Sequence, residues 1–243
     1  SVISENFDIE KLHKHTHLFS SDELIEFPGR RFKVLERIPY TKKHMRAGIT
    51  FDKANVAVRN FPESVSELKK RWKIKECSYK INVDTEEENF KLTTEQLVEY
   101  ELSRTQSVFI YFSLMREGDL SSLVMQISLN ALEMPPIMCF DKRSRITFLL
   151  EDGSYVSLPY LDEVNCGRQT DHENQLDNST SEAAFFMNEE SMAKLMGSAL
   201  KSMRITSMNT NFDIEFKRVL SNPAIEVPIY PQEYFINNLG CIE

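Results

Sequence analysis

The middle of the chain contains two runs whose composition is typical of β-strands. Residues 107–115 and 123–129 are rich in the large apolar side chains that favour a pleated, half-buried surface. Residues 145–150 and 155–158 follow, joined by four residues that include an Asp-Gly pair. This pair supplies the positive φ angles of a tight hairpin turn, so these two segments are predicted to form an antiparallel hairpin.

Asn188 is predicted to cap an amphipathic helix that follows these strands. Apolar residues recur at i, i+3, i+4, i+7, i+8 and i+11, which makes one continuous face. These residues are Met192, Leu195, Met196, Ala199, Leu200 and Met203. We expect this face to pack in the core. The alternative is an adaptable peptide-binding groove, because Met suits such surfaces.

The other segments of the second half carry weaker signals. Residues 165–182 are polar and are predicted to form an exposed loop. Strands are expected at 203–206 and 212–219. The proline-containing tail is expected to be extended and to pack over the surface.

Together these patterns place the chain in the α+β class, with a small basic α/β module followed by a mainly antiparallel β domain with one amphipathic helix. A length of 243 residues suits one large domain or two smaller ones. The predicted domains are residues 1–76 and the acidic residues 77–243. The acidic stretch 84–89 is predicted to be a linker or loop.

Local signals in the basic module predict a helix that starts at 21–24, a strand at 31–36, a short basic helix at 42–47, a strand at 54–59 and a helix at 65–72. Ser64 is expected to cap the last of these helices. Glu67 stands three residues later, where a capping box places its carboxylate.

Glycine is scarce, with seven residues and no G-x-G pair. Dinucleotide fingerprints and P-loops need clustered glycines so that the backbone can approach a phosphate, and the usual S-adenosylmethionine loop is also rich in glycine. The nucleophile motif G-x-S-x-G is missing as well. We therefore expect a chain without a catalytic motif or a cofactor.

The four cysteines are Cys77, Cys139, Cys166 and Cys241, and no two of them form a C-x-x-C pair. A zinc or redox site built from cysteines is therefore not expected. Two disulfides in a secreted protein are one alternative. Four reduced thiols in a cytoplasmic protein are favoured, because small disulfide scaffolds are denser in cysteine.

No apolar run approaches the length of about 20 residues that spans a bilayer, so no membrane association is expected. The first residues also lack a basic segment followed by an apolar one. A signal peptide is therefore expected to be absent, or to have been removed before this numbering begins.

The charge is distributed unevenly along the chain. Residues 28–76 hold 14 Lys and Arg against 5 Asp and Glu, a net of +9, whereas the whole chain has a net charge of −8. This contrast indicates either a nucleic-acid surface or a basic segment that docks on the acidic part of the same chain. The candidate phosphate contacts are Arg30, Arg31, Lys33, Lys42, Lys43, Arg46, Arg59, Lys69, Lys70, Arg71 and Lys73.

Three aromatic residues of the same stretch could stack on bases. They are Tyr40, Phe61 and Trp72. Trp72 is expected to be buried on the apolar stripe of its helix, and Phe61 to pack beside Pro62. The aromatic residues are therefore secondary candidates.

Three histidines at a spacing of two, His13, His15 and His17, are weak candidates for an open zinc site. On a strand their imidazoles would point to one face. No carboxylate is placed to complete the site, so a solvated strand or loop is the favoured interpretation.

The stretches 17–24, 27–32 and 52–71 resemble the THUMP-like domain that ends certain bacterial class I S-adenosylmethionine-dependent methyltransferases. The most specific part is 53–75, which begins Lys-Ala-Asn-Val-Ala-Val-Arg-Asn-Phe-Pro-Glu-Ser. The resemblance covers about the first 76 residues and implies a module that helps to hold RNA. The catalytic residues of that family belong to a preceding domain and have no counterparts here.

The chain departs from that family after Glu76, where the family continues into a glycine pair. The departure indicates either a truncated module fused to an unrelated domain or a diverged module with different strands. Residues 90–243 loosely resemble β-rich bacterial proteins of unknown function. Three functions follow as hypotheses: a non-catalytic RNA-binding module, a scaffold that binds a protein partner or a second copy, and the substrate-recognition part of a split RNA methyltransferase.

Overall fold

The computed structural model describes residues 9–12, 18–23, 25, 34, 36–49, 53–54, 56–58, 61–85, 88–171, 176–221 and 228–242. The chain divides into two compact units, Ser1–Lys75 and Glu76–Glu243. Each unit is described by itself. Among the described residues, no helix is both long and apolar enough to cross a bilayer.

The N-terminal unit contains short elements. They are the antiparallel strands β1 (Glu10–Lys11) and β2 (Phe19–Ser20), helix α1 (Lys42–Gly48) and helix α2 (Val65–Trp72). Lys53 and Lys75 form a parallel bridge. The two helices confirm the elements predicted at 42–47 and 65–72.

Side-chain caps determine where both helices begin. The N–H of Glu67 donates to Ser64 Oγ at 3.3 Å, and the N–H of Ser64 donates to Glu67 Oε2 at 2.8 Å, so the predicted capping box is present. Thr41 caps α1 and accepts from the N–H of His44 at 3.4 Å. Helix α2 ends at Trp72, and its C-cap Lys73 has a positive φ of 57°.

Three other predictions for this unit are wrong where the structure describes the residues. Residues 21–23, where a helix was predicted to start, are not helical, and the N–H of Glu23 donates to Ser21 Oγ at 3.3 Å. Described residues of the segments 31–36 and 54–59 lie outside any strand. The rest of these two segments lies outside the described residues.

The C-terminal unit is dominated by antiparallel strands. They are β3 (Tyr79–Asp84), β4 (Asn89–Thr93), β5 (Gln96–Leu102), β6 (Gln106–Glu117), β7 (Leu120–Ala131), β8 (Cys139–Phe140), β9 (Arg145–Leu150), β10 (Tyr155–Pro159), β11 (Asn165–Cys166), β12 (Arg168–Thr170), β13 (Asp177–Met187), β14 (Leu200–Thr206) and β15 (Asn211–Glu215). Helix α3 spans Glu189–Gly197, and helix α4 (Tyr234–Asn238) lies between two 3₁₀ turns, Pro231–Glu233 and Leu239–Cys241.

These strands form two main sheets and one small one. The larger sheet has the order β12-β13-β7-β6-β4-β3, with β5 also paired to β6. The second sheet has the order β10-β9-β14-β15, and β11 pairs with β8. The antiparallel α+β architecture and the Asp-Gly hairpin are confirmed, with Gly153 at φ +83° in the turn between β9 and β10.

Both main sheets contribute to one hydrophobic core. Alternate residues of β6 and β9 are buried, and the rings of Phe112 and Phe148 meet edge to face at 6.1 Å. Met192 and Leu195 of α3 join this core, as predicted for the apolar helix face. Helix α3 ends at Gly197 rather than near residue 203, and the apolar pattern continues in strand β14.

The prediction of an exposed loop at 165–182 is wrong, because this segment contains β11, β12 and the start of β13. Two of its small polar residues, Ser179 and Ser181, are buried with satisfied hydroxyls. Ser179 Oγ donates to the carbonyl of Pro136 at 3.0 Å, and Ser181 Oγ accepts from the N–H of Met138 at 3.1 Å. The stretch 84–89 connects the paired strands β3 and β4, so of the two predicted alternatives it is a loop and not a linker between domains.

The prediction of an extended surface tail is wrong in its last part. Tyr234, Phe235, Leu239 and Ile242 are all buried in the core. The tail therefore completes the core of the C-terminal unit. These large apolar residues lie in and directly after α4, and they are the residues of the tail that pack into the core.

The expectation of four reduced thiols is also wrong. Cys77 pairs with Cys241 and Cys139 with Cys166, across sequence separations of 164 and 27 residues. The fold brings their Cα atoms to 5.6 Å and 4.1 Å. Spacing along the sequence could not indicate these pairs, because tertiary structure creates the proximity.

We predict unequal contributions of the two disulfides to the free energy of unfolding. In the loop-entropy description, removal of the longer loop closure (C77S/C241S) costs about 5 kcal/mol and removal of the shorter (C139S/C166S) about 3.5 kcal/mol. Urea unfolding of each double variant, compared with the wild type, measures both values. A cost for the second variant equal to or above that of the first would contradict the prediction.

Acid should weaken the start of helix α2. The hydrogen bond from the Ser64 backbone, and then that with the Ser64 side chain, lowers the pKa of Glu67 below its ordinary value of 4.5. Because the pKa of Glu67 is lower in the folded state than in the unfolded state, the ionised carboxylate stabilises the fold at pH values above the unfolded-state pKa. This stabilisation is lost as the pH falls through the folded-state pKa.

The variant E67Q should therefore lose part of the acid dependence of the thermal midpoint of the N-terminal unit. Thermal unfolding of the full chain between pH 7 and pH 3, followed by a probe on α2, measures this effect. E117Q, which removes an exposed carboxyl of the other unit, is the control. Identical pH profiles for the wild type and E67Q would count against the prediction.

Candidate nucleic-acid interface

The N-terminal unit contains a cavity of about 670 Å³ between α1 and the end of α2. The residues around it come from both helices and the segments that flank them. They are Tyr40, Thr41, Lys42, Met45, Arg46, Ile49, Arg71, Trp72 and Lys73. The cavity therefore depends on where the Thr41 cap begins α1 and where the positive φ of Lys73 ends α2.

Four positive charges line this cavity. Lys42 and Arg46 are four residues apart, so they lie on the same face of α1. Arg71 and Lys73 come from the end of α2. The four side chains are exposed, and within the described ranges of this unit Lys42, Arg46 and Lys73 form no ion pair.

Arg71 is the one lining cation with a carboxylate partner among the described residues. Its Nη1 donates to Glu63 Oε1, while Glu63 Oε2 is buried without a hydrogen-bond partner. The pair holds the guanidinium at the cavity. A guanidinium has five N–H donors, so further donors remain for a second acceptor.

Three aromatic rings cluster at the same place. The Tyr40 ring meets the Phe61 ring edge to face at 4.7 Å and the Trp72 ring at 6.3 Å. Tyr40 and Phe61 are each 37% exposed, and Trp72 is half-buried. The prediction that Trp72 is buried is therefore met only in part, and the ring partner of Phe61 is Tyr40.

The structure gathers only part of the predicted basic set at the cavity. Lys42, Arg46, Arg71 and Lys73 line it. Lys43, Lys69 and Lys70 lie on the same helices but do not line the cavity. Arg30, Arg31, Lys33 and Arg59 lie outside the described residues, as do the weak metal candidates His13, His15 and His17. No cluster of three metal-ligating side chains occurs in the described ranges.

Sequence reasoning missed several residues of the site. Thr41 both caps α1 and lines the cavity, and its Oγ1 lies 2.7 Å from His44 Nδ1. Met45 and Ile49 add an apolar wall at a spacing of four. A Thr before a basic helix is an N-cap signal that could have drawn attention to Thr41. The cavity thus combines cations, aromatic rings and a small apolar wall.

Comparison with known proteins finds two family matches within the first 94 residues. Residues 29–94 match a family described as THUMP domain-like, and residues 1–28 match one described as a ferredoxin-like domain. No curated protein and no solved structure matches the chain. Residues 1–28 contain no cysteine, so they cannot hold an iron–sulfur cluster through thiolates.

The first of these matches supports the resemblance drawn from the sequence. It continues to residue 94, beyond the departure expected after Glu76, and so includes β3 and β4 of the C-terminal unit. It covers about a quarter of the chain. The chain therefore carries a THUMP domain-like segment at residues 29–94.

Proposed function

We propose that the N-terminal unit is a non-catalytic RNA-binding module, in which the cations around the cavity contact phosphates and the adjacent aromatic rings stack on bases. The observation that carries this proposal is the convergence of Lys42, Arg46, Arg71 and Lys73 on one cavity beside Tyr40 and Trp72. The THUMP domain-like match supports it, because such domains are generally associated with RNA binding.

Phosphate binding requires cations that are exposed and not already neutralised. Lys42, Arg46 and Lys73 meet this requirement within the described part of the unit. Each phosphate contact releases condensed counterions, so affinity should fall as salt rises. A cavity of this size holds more than a single ion, which fits a nucleotide better than free phosphate.

The proposal assigns RNA contact to a basic module of residues 1–76 and gives no such role to the acidic domain of residues 77–243. The competing hypothesis is a scaffold whose basic segment is neutralised within the chain. The two hypotheses differ in one measurable property, since only the first predicts RNA binding that weakens with salt.

The cellular compartment of the protein affects whether it can meet RNA. A cytoplasmic location remains a prediction, and it agrees with an RNA ligand. Disulfides persist in oxidising compartments and are rare in the cytosol, so Cys77–Cys241 and Cys139–Cys166 count against it. The redox state of the C-terminal unit inside cells is therefore a property to measure.

Charge removal at the cavity should weaken RNA binding. We expect K42Q/R46Q to reduce affinity for a tRNA by about tenfold at low salt and to lower the salt slope by about 1.4 for two lost contacts. Filter binding by the full chain over a salt series measures both quantities.

The control for this experiment is R104Q/K142Q, which removes the same charge from exposed positions of the C-terminal unit. It should bind RNA as the wild type does. Equal weakening by both double variants would mean that only net charge matters. RNA binding that is undetectable, or independent of salt, would refute the proposal and favour the scaffold.

The aromatic cluster should discriminate unpaired from paired RNA. Replacing Tyr40 by Leu removes an exposed ring while keeping an apolar side chain. We expect a loss of about 1–3 kcal/mol for an unpaired oligonucleotide, the usual range for base–aromatic stacking, and little change for a duplex. Fluorescence anisotropy with both RNAs measures the difference. Equal losses for the two would contradict a stacking role.

A further inference from the structure

The segment 76–94 is part of both the THUMP domain-like match and the C-terminal unit. It lies within the THUMP domain-like match, which ends at residue 94. In the structure it forms the hairpin of β3 and β4 at one edge of the larger sheet of the C-terminal unit. How this hairpin is held there therefore matters for both parts of the chain.

Packing holds the hairpin only weakly. None of the side chains that the structure describes in β3 is buried, and in β4 only Thr93 is. Strand β4 pairs with β6 over three residues, Phe90–Leu92. By contrast, Ile110, Phe112 and Leu114 in the middle of β6 are each at most 1% exposed.

Polar contacts and one disulfide attach the hairpin to the C-terminal segment and to β6. Tyr79 Oη donates to the carbonyl of Cys241 at 2.7 Å, and Cys241 is bonded to Cys77. At the other strand, Thr93 Oγ1 accepts from the N–H of Leu114 in β6 at 2.8 Å. One covalent bond thus reinforces these polar contacts.

The C-terminal segment is itself firmly anchored. Tyr234, Phe235, Leu239 and Ile242 are at most 1% exposed and belong to the core. Cys241 is therefore fixed, whereas Cys77 precedes a strand without a described buried side chain. Segments with few buried contacts open locally at low free energy, so the disulfide dominates the retention of this hairpin.

We propose that Cys77–Cys241 is a redox-controlled clasp, and that a dithiol reductant releases the β3–β4 hairpin while the rest of the C-terminal unit stays folded. The inference does not depend on RNA binding. Because Cys77 lies inside the THUMP domain-like match and Cys241 outside it, opening the clasp breaks the direct covalent link between the matched segment and the C-terminal segment.

The reaction is ordinary thiol–disulfide exchange. A thiolate of the dithiol attacks Sγ of Cys77, the more accessible sulfur, and Cys241 leaves as a thiolate. The second thiol of the reductant then displaces Cys77 and closes a cyclic disulfide. Two electrons pass to the protein sulfurs, and the two protons of the dithiol end on Cys77 and Cys241.

The second disulfide provides a matched control within the same unit. The variant C139S/C166S keeps only the clasp, and C77S/C241S keeps only the other bond. Hydrogen–deuterium exchange of the full-length variants, with and without dithiothreitol, reports opening of each segment. Thiol alkylation and mass spectrometry confirm which bond is reduced.

We expect dithiothreitol to accelerate amide exchange across residues 79–93 of C139S/C166S by about tenfold or more, with a smaller change in β7 and β13. C77S/C241S should show the fast hairpin without reductant. If C77S/C241S does not fold, the proposal is still tested by adding the reductant to C139S/C166S that has already folded. An unchanged hairpin, or equal acceleration of the hairpin and of β7 and β13, would overturn the clasp.

Discussion

The packing of the C-terminal unit depends on the aromatic contacts that the ring of Phe112 makes in its core. It meets Phe148 of the opposite sheet at 6.1 Å, Tyr234 at 5.3 Å and Phe235 at 6.2 Å. One side chain thus joins the two main sheets and helix α4. Because α4 leads directly to Cys241, this aromatic core also determines where the C-terminal end of the disulfide lies.

Features that depend on near neighbours in the sequence were predictable. The capping box at Ser64 and Glu67, the turn at Gly153 and the cap at Asn188 each involve residues within a few positions of one another. Their physical basis is a local hydrogen bond or a backbone angle, so the residue types alone indicate them.

Features that depend on distant partners were not predictable in the same way. Ser179 and Ser181 suggested an exposed loop because hydroxyls usually contact water. Their partners are backbone groups more than 40 residues away, which makes burial acceptable. The candidate site shows the same limit: the sequence predicted its charge, but only the folding of α1 and α2 selects four cations and adds Thr41, Met45 and Ile49.

The distribution of cysteines gives the two units different chemical sensitivities. Residues 1–75 contain none, so the thiol redox state of the surroundings acts on the chain only through the C-terminal unit. Cys77 stands two positions after Lys75, where the N-terminal unit ends, and within the THUMP domain-like match. The Cys77–Cys241 bond therefore combines two properties. It ties a weakly packed hairpin to the core, and its Cys77 end is close in sequence to the last residue of the N-terminal unit. Cys139–Cys166 lies entirely outside that match and links the paired strands β8 and β11 within the C-terminal unit.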